Sequence, residues 1–240
     1  MPAAKLTSPA IERRVRALAD PARARLLQGF FKTGPGQYGE GDRFLGLTMP
    51  QVRTVAAACR DTSLDEVERL LESPWHEIRM LALVILANTY GGASAARQAD
   101  IYRLYLRRTD RINNWDLVDV TAPAVVGIHL LTRSRAPLRR LARSRSVWER
   151  RIAIVATAAF IRRDDFSETV WIAERLLGDE HDLIHKAVGW MLREVGKRDE
   201  ATLRRFLDAH AAHMPRTALR YAIERLPPAH RRKYMKAGQR

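Results

Sequence analysis

The chain has 240 residues, long enough for one sizeable core or a short array of repeats, and carries 42 Lys plus Arg against 27 Asp plus Glu, a formal net charge of +15. Arginine dominates, and its planar fork suits phosphate, so the charge favours a polyanion, nucleic acid ahead of an anionic membrane; a solubilising surface explains the imbalance less readily. The single cysteine, Cys59, excludes an intramolecular disulfide and a cysteine-rich zinc site, and the longest apolar run, Met80 to Ala87, is too short to span a bilayer.

The first residues lack an apolar signal core, so a cytoplasmic protein is expected. Helical periodicity runs along the chain, and no stretch alternates convincingly with period two. In order, it predicts helices over 8–18 and 21–32, then a loop over 33–47 containing "TGPGQYGEGD". The "GPGQYG" within it matches GxGxxG in form but follows a helix rather than a strand, so no dinucleotide site is expected. Tyr38, at its middle, either reaches a ligand or anchors the loop. Helices over 48–60, 63–73, 75–89 and 95–109 follow.

The next helix, 114–131, opens with "NNWDLVD". Asn113 or Asn114 can cap it, and Asp116 in its first turn suits the positive end of the helix dipole. Pro123 removes the bond its N–H would make to the Asp119 carbonyl and predicts a kink there. Helices over 136–144, 147–162, 167–177 and 182–196 come next. His181 and His185 have the i, i+4 spacing of some zinc pairs, but no third ligand is apparent and no metal is expected. The last helices are 200–212, 216–226 and 228–236, the final one within a basic C-terminal tail assigned to 228–240.

The helices pair into hairpins whose second members begin near 75, 115, 148, 183 and 216, at steps of 40, 33, 35 and 33 residues. The segments "WHEIRMLAL", "WDLVDVTAP", "WERRIAIVA" and "LIHKAVGWM" echo one another in that register. The fold class expected is therefore all-α, a curved solenoid of HEAT-like antiparallel helix pairs forming one domain over 1–240. Arg79, Asp119, Arg151, Lys186 and Arg220 recur at the equivalent polar position, which predicts a cationic row along one surface with a single carboxylate in it.

On a helical wheel, Leu117, Val120, Ala124, Ile128 and Leu131 cluster within roughly 80° as the expected core face. Trp115 and Asp119 fall opposite, one turn apart. In "HDLIHKAVGWMLREV" the expected stripe is Ile184, Val188, Met191, Leu192 and Val195, with Trp190 off it and sharing a face with Lys186. Two off-core tryptophans and a carboxylate in a basic setting suggest a site for a flat or cationic group. The competing reading is that both rings pack on neighbouring repeats while Asp119 pairs with an arginine.

The segments "FFKTGPGQYGEGDRFLGLTMPQVR", "NNWDLVD", "WERRIAI" and "HKAVGWMLRE", taken in that order, resemble the bacterial AlkD family of DNA alkylation repair glycosylases, from about Leu26 to Arg225. The resemblance implies a curved HEAT-like stack that binds duplex DNA on its concave face and excises cationic alkylpurines, such as 3-methyladenine and 7-methylguanine, without a metal or other cofactor. It implies that Asp119 is the catalytic aspartate, that Trp115 and Trp190 line the lesion's deoxyribose, that Arg151 contacts the backbone and that Tyr38 lies at the cleft. Lys186, Arg79 and Arg220 join Arg151 as expected phosphate contacts. Some members carry a second tryptophan where this chain has Asn114.

Such a substrate explains how one carboxylate can suffice. Ordinary glycoside hydrolysis takes two carboxyl groups, one of which protonates the leaving oxygen. A purine alkylated on a ring nitrogen is already cationic and leaves without a proton. What remains is to stabilise the developing cationic sugar and position a water. The reading is thus a DNA glycosylase acting on duplex DNA that carries alkylated bases, as a monomer and away from membranes. The alternatives are a non-catalytic HEAT-like protein binding damaged or branched DNA, and a protein–protein scaffold.

Overall fold

The structure is a computed structural model that describes residues 6–237. It is all-helical: every predicted helix has a counterpart, and among the described residues the only β pairing is an isolated parallel bridge between Arg43 and Trp75. None of its helices is long and apolar enough to cross a membrane. The chain divides into two compact units, Met1–Thr121 and Ala122–Arg240.

The first unit contains α1 (Ser8–Arg16), α2 (Pro21–Phe30), α3 (Met49–Ala58), α4 (Leu64–Leu71), α5 (His76–Tyr90), α6 (Ala95–Arg107), a 3-10 turn (Thr109–Arg111) and α7 (Trp115–Ala122), at whose end the division falls. Local chemistry sets these boundaries. Thr48 and Gln51 form a reciprocal capping box at α3, while Asp20, Ser63 and Ser94 accept from backbone N–H groups at the starts of α2, α4 and α6. α5 is buried almost throughout and packs against α3, α4 and α6, so it is the centre of this unit.

The helical run then continues as a π-helical stretch, Pro123–Gly127, and α8 (Ile128–Leu130). The disturbance expected at Pro123 takes this form, since proline lacks the N–H that would close the i, i+4 bond. It also overturns the predicted core face. The buried side chains include Leu117, Val118, Thr121, Ala122, Val125, Val126 and Leu130, whereas Ile128 is 43% exposed and Val120, Ala124 and Leu131 are only partly buried. Before the proline, packing centres on Val118 and Thr121, whose hydroxyl lies 3.0 Å from that of buried Tyr105. Beyond it, the wider turn shifts the helical phase.

The second unit continues with α9 (Ala136–Leu141), α10 (Val147–Ala156), α11 (Ala158–Ile161), α12 (Ser167–Leu176), α13 (Asp182–Arg198), α14 (Glu200–His210), α15 (Arg216–Ile223) and α16 (Pro228–Ala237). α13 is its centre, packing against α10, α12, α14 and α15. All five residues of its predicted stripe, Ile184, Val188, Met191, Leu192 and Val195, are at most 1% exposed. The helix predicted over 228–236, within the stretch assigned to a basic tail, is α16, fastened by buried Tyr234, whose hydroxyl donates to Asp208. Residues 238–240 lie outside the described residues.

Gly189 sets the spacing between α13 and α15. A Cβ there would lie 2.4 Å from the Ala218 carbonyl oxygen and 2.5 Å from the Tyr221 Cβ. Because backbone cannot yield cheaply, Gly189→Ala should destabilise the protein by about 1–3 kcal/mol, as other overpacked sites do. Thermal and urea unfolding read this directly, and an unchanged stability would mean that the two helices do not approach this closely.

Candidate functional site

In the first unit, the start of α7 is held by a buried polar cluster. Asn114 is fully buried; its Oδ1 accepts from the Trp115 N–H at 2.8 Å, and its Nδ2 donates to Asp42 at 3.1 Å. Asp42, within the 33–47 loop, also receives Arg79 Nη2 at 2.6 Å, Asn113 Nδ2 at 3.3 Å and His76 Nδ1 at 3.2 Å. The other ring nitrogen of His76 lies 2.9 Å from Asp116 in the first turn of α7. Asp116 therefore does more than complement the helix dipole.

Burial alone would raise the Asp42 carboxyl, but the hydrogen bond from His76, the charges of Arg79 and His76 and the bond from Asn114 together bring it down to about 2. Burial alone would likewise strip the proton from His76. The charge and hydrogen bond of Asp116, with those of Asp42, outweigh burial and push the imidazole up to about 9. His76 is thus an imidazolium bridging the loop and α7.

A second anchor sits beside it. The buried Glu77 carboxylate accepts from the backbone N–H groups of Leu45, Gly46 and Leu47 at 2.9, 2.7 and 3.2 Å. Gly46 has φ +88°, and a Cβ there would lie 2.1 Å from the Asp20 carbonyl oxygen, so the loop passes close to the start of α2.

Aromatic rings cover the cluster. Phe44 and Phe31 lie against the His76 ring at 4.7 and 5.1 Å between centroids, and Trp115 stacks on Phe31 at 5.4 Å. Phe30, 63% exposed, meets Trp115 edge-on at 6.0 Å. Tyr38 joins this edge, with its hydroxyl 3.5 Å from the Phe30 carbonyl. Trp115 is half-buried, and Asp119, one turn on, is partly exposed on the same side of α7, away from the centre of its buried stripe.

The expected cationic row does not form as drawn. Arg79 is 2% exposed, spent on Asp42, Asn113 and the Ser73 carbonyl. Arg151 is 4% exposed and donates to the Leu183 carbonyl. Both equivalent positions turn their long side chains inward, Arg79 to the loop before α3 and the turn after α4, where its Nε stays without a partner, and Arg151 to the first turn of α13. On the second unit, Lys186 is partly exposed and pairs with Asp182 at 2.7 Å, while Trp190, off its helix's buried stripe, lines a recess with Ile161, Arg162 and Lys197. Arg220 is exposed beside Arg231 and Arg232.

His76, Asp42 and the phenylalanines were not singled out by sequence. His76 and Asp42 are 34 residues apart, so no local period links them. His181 caps α13 and His185 bonds the Asp179 carbonyl; among the described residues no cluster of His, Cys, Asp or Glu has the makings of a metal site.

The model of the family described as "DNA alkylation repair enzyme" matches residues 11–226. Among solved structures, a "Predicted DNA alkylation repair enzyme" from Enterococcus faecalis is similar, with TM-score 0.68 and 16% identity over 88% of this chain and 97% of that one. The crystal structure of smu.31 from Streptococcus mutans aligns over 97% of this chain and 98% of that one, at TM-score 0.49 and 13% identity. No curated protein sequence matches significantly.

The raised His76 pKa has a consequence for stability. Its contribution is fully present below about pH 6.5, declines as pH rises and is lost above about pH 9; for a group moved that far it is on the order of 3 kcal/mol. Asp42 acts oppositely: its contribution is present above about pH 3.8 and is lost as pH falls through about 2. The stability gap between wild type and His76→Gln should therefore shrink between pH 6 and pH 10 in urea titrations. A gap independent of pH would mean the folded protein holds a neutral imidazole.

Proposed function

The chain belongs to the DNA alkylation repair enzyme family, and from that premise we propose that it is a DNA glycosylase that releases cationic N-alkylated purines from duplex DNA by hydrolysis of the N-glycosidic bond. The observation that carries this reading is the pairing of half-buried Trp115 with partly exposed Asp119 on the same side of α7, in a chain of net charge +15. A carboxylate turned toward DNA repels phosphate, so it needs a positive charge in the reaction to justify its position.

The deoxyribose becomes that charge. As the alkylpurine departs, C1′ turns cationic, and Asp119 stabilises it and orients the attacking water. A carboxylate about 4 Å from a unit charge gains roughly 4 kcal/mol at an effective dielectric near 20. That modest gain suits a bond already weakened by the cationic base. Trp115, braced by Phe30 and Phe31, supplies an apolar wall that fixes the sugar's approach. Asn114, where some relatives carry another tryptophan, caps α7 and fastens Asp42, which holds Trp115 in place. Trp190, Lys186 and Arg220 of the second unit are assigned to DNA as well, Lys186 exchanging Asp182 for phosphate.

Arg79 and Arg151 are assigned a different part from the one their register suggests. Both hold the scaffold rather than phosphate, and an Arg151→Ala variant would leave the Leu183 carbonyl without that donor.

The test is single-turnover release of free 7-methylguanine from methylated duplex. Asp119→Asn keeps the side-chain shape and removes the charge, so release should fall at least about 100-fold, the scale of other lost electrostatic stabilisers. Binding to undamaged duplex should hold or tighten because one repulsion is gone. Wild-type release by a folded Asp119→Asn protein would refute the mechanism.

A further inference from the structure

The arginines of the second unit concentrate outside the region just assigned. Arg133, Arg135, Arg139, Arg140, Arg143 and Arg145 all fall on α9 or its flanking turns. Three guanidiniums converge on one ring: those of Arg139, Arg143 and Arg175 lie 4.9, 5.4 and 5.7 Å from the centroid of Trp171 on α12. Trp171 is only half-buried, beside the stripe of Thr169, Ile172, Ala173 and Leu176 that faces the core, and all three arginines are exposed.

Counter-charge is short at this spot. Arg139 makes two hydrogen bonds to Glu168, whose carboxylate is buried, at 2.9 and 3.1 Å. Among the described residues, Arg143 and Arg175 have no ion pair. Elsewhere the chain answers its clustered arginines with acids, as with Arg108 against Glu68, Glu72 and Asp110, or Arg150 against Asp179. A tryptophan face attracts a cation, but three like charges around one ring repel one another, and a single carboxylate does not offset them. The planar guanidinium fork is suited to phosphate oxygens, so exposed arginines gathered on one ring favour a phosphate-bearing partner.

The platform belongs to a different layer from Trp190. α10, α13 and α15 pack in succession, while α9 packs on α10 and α12 on α13. We propose that Trp171 with Arg139, Arg143 and Arg175 forms a second DNA-binding site, which takes the phosphate backbone of a duplex independently of the layer that carries Trp190. The choice of DNA as the polyanion rests on the glycosylase reading; the site's preference for a polyanion does not. Bound phosphates supply the missing negative charge, and the ring keeps the arginines in place when the site is empty. The site holds a second stretch of DNA while the first is being processed.

The experiment is sedimentation titration of the full chain with a short undamaged duplex, alongside the 7-methylguanine release assay. Wild type should bind two duplexes, the second with a salt dependence of about two phosphate contacts or more. Arg143→Glu/Arg175→Glu and the milder Arg143→Gln/Arg175→Gln should each bind one, with release rate and melting temperature unchanged. Arg139 is left intact because it satisfies buried Glu168. Binding of one duplex by wild type with polyglutamate also failing to occupy the platform, or of two duplexes by both folded variants, would overturn the site. Polyglutamate occupying the platform of wild type when duplex does not would overturn DNA as its ligand. Two-duplex binding that the variants lose, from a wild type that releases no 7-methylguanine, would sustain the site and remove the glycosylase reading instead.

Discussion

The imidazolium of His76, held between Asp42 and Asp116, is the contact on which the rest of the first unit's site depends. It joins three parts of the chain that share no local sequence period: the 33–47 loop at Asp42, the first residue of α5 and the first turn of α7. A buried charge is costly to leave unpaired, and removing one partner of such a pair typically costs about 3–5 kcal/mol. Here Asp42 is answered by four donors, and His76 is enclosed by Phe31 and Phe44. Trp115 rests on the same Phe31, so the orientation of the tryptophan beside Asp119 follows from the charge pairing beneath it.

The net charge of +15 divides into two populations. Arg79, Arg111 and Arg151 turn inward or along seams and donate hydrogen bonds to carbonyls and carboxylates of neighbouring segments. They do the work of structural cross-links. Arg220, Arg231 and Arg232, and the group around Trp171, stay at the surface. Only basic residues left at the surface, these and Lys186 among them, are available to a polyanion, so the count of basic residues overstates the recognition surface. Counting charge along the chain does not separate the two.

Features with a local cause were legible in the sequence. The stripe on α13 was read correctly because its seventeen residues form one unbroken helix with a clean period. The disturbance at Pro123 was also foreseeable, since it follows from the missing N–H. Its consequence for the buried face was not, because a π turn changes the phase that a fixed wheel assumes. The burial of Arg79 and Arg151 escaped for a different reason: an arginine at a repeat's polar position can reach either solvent or a neighbour's carbonyl, and only the neighbour decides. Asp116 looked like a dipole partner because its true counterpart, His76, is 40 residues away.

One carboxylate is enough for this chemistry only if the departing base carries its own positive charge. Asp119 offers no second acid to protonate a neutral base, and ordinary glycoside hydrolysis needs one. The most direct measurement is therefore release of free base from two duplexes identical except for the lesion, one carrying cationic 7-methylguanine and the other neutral hypoxanthine. The account predicts release of 7-methylguanine and none of hypoxanthine above the uncatalysed background. Equal release of both would contradict it, because a general acid would then have to be at work.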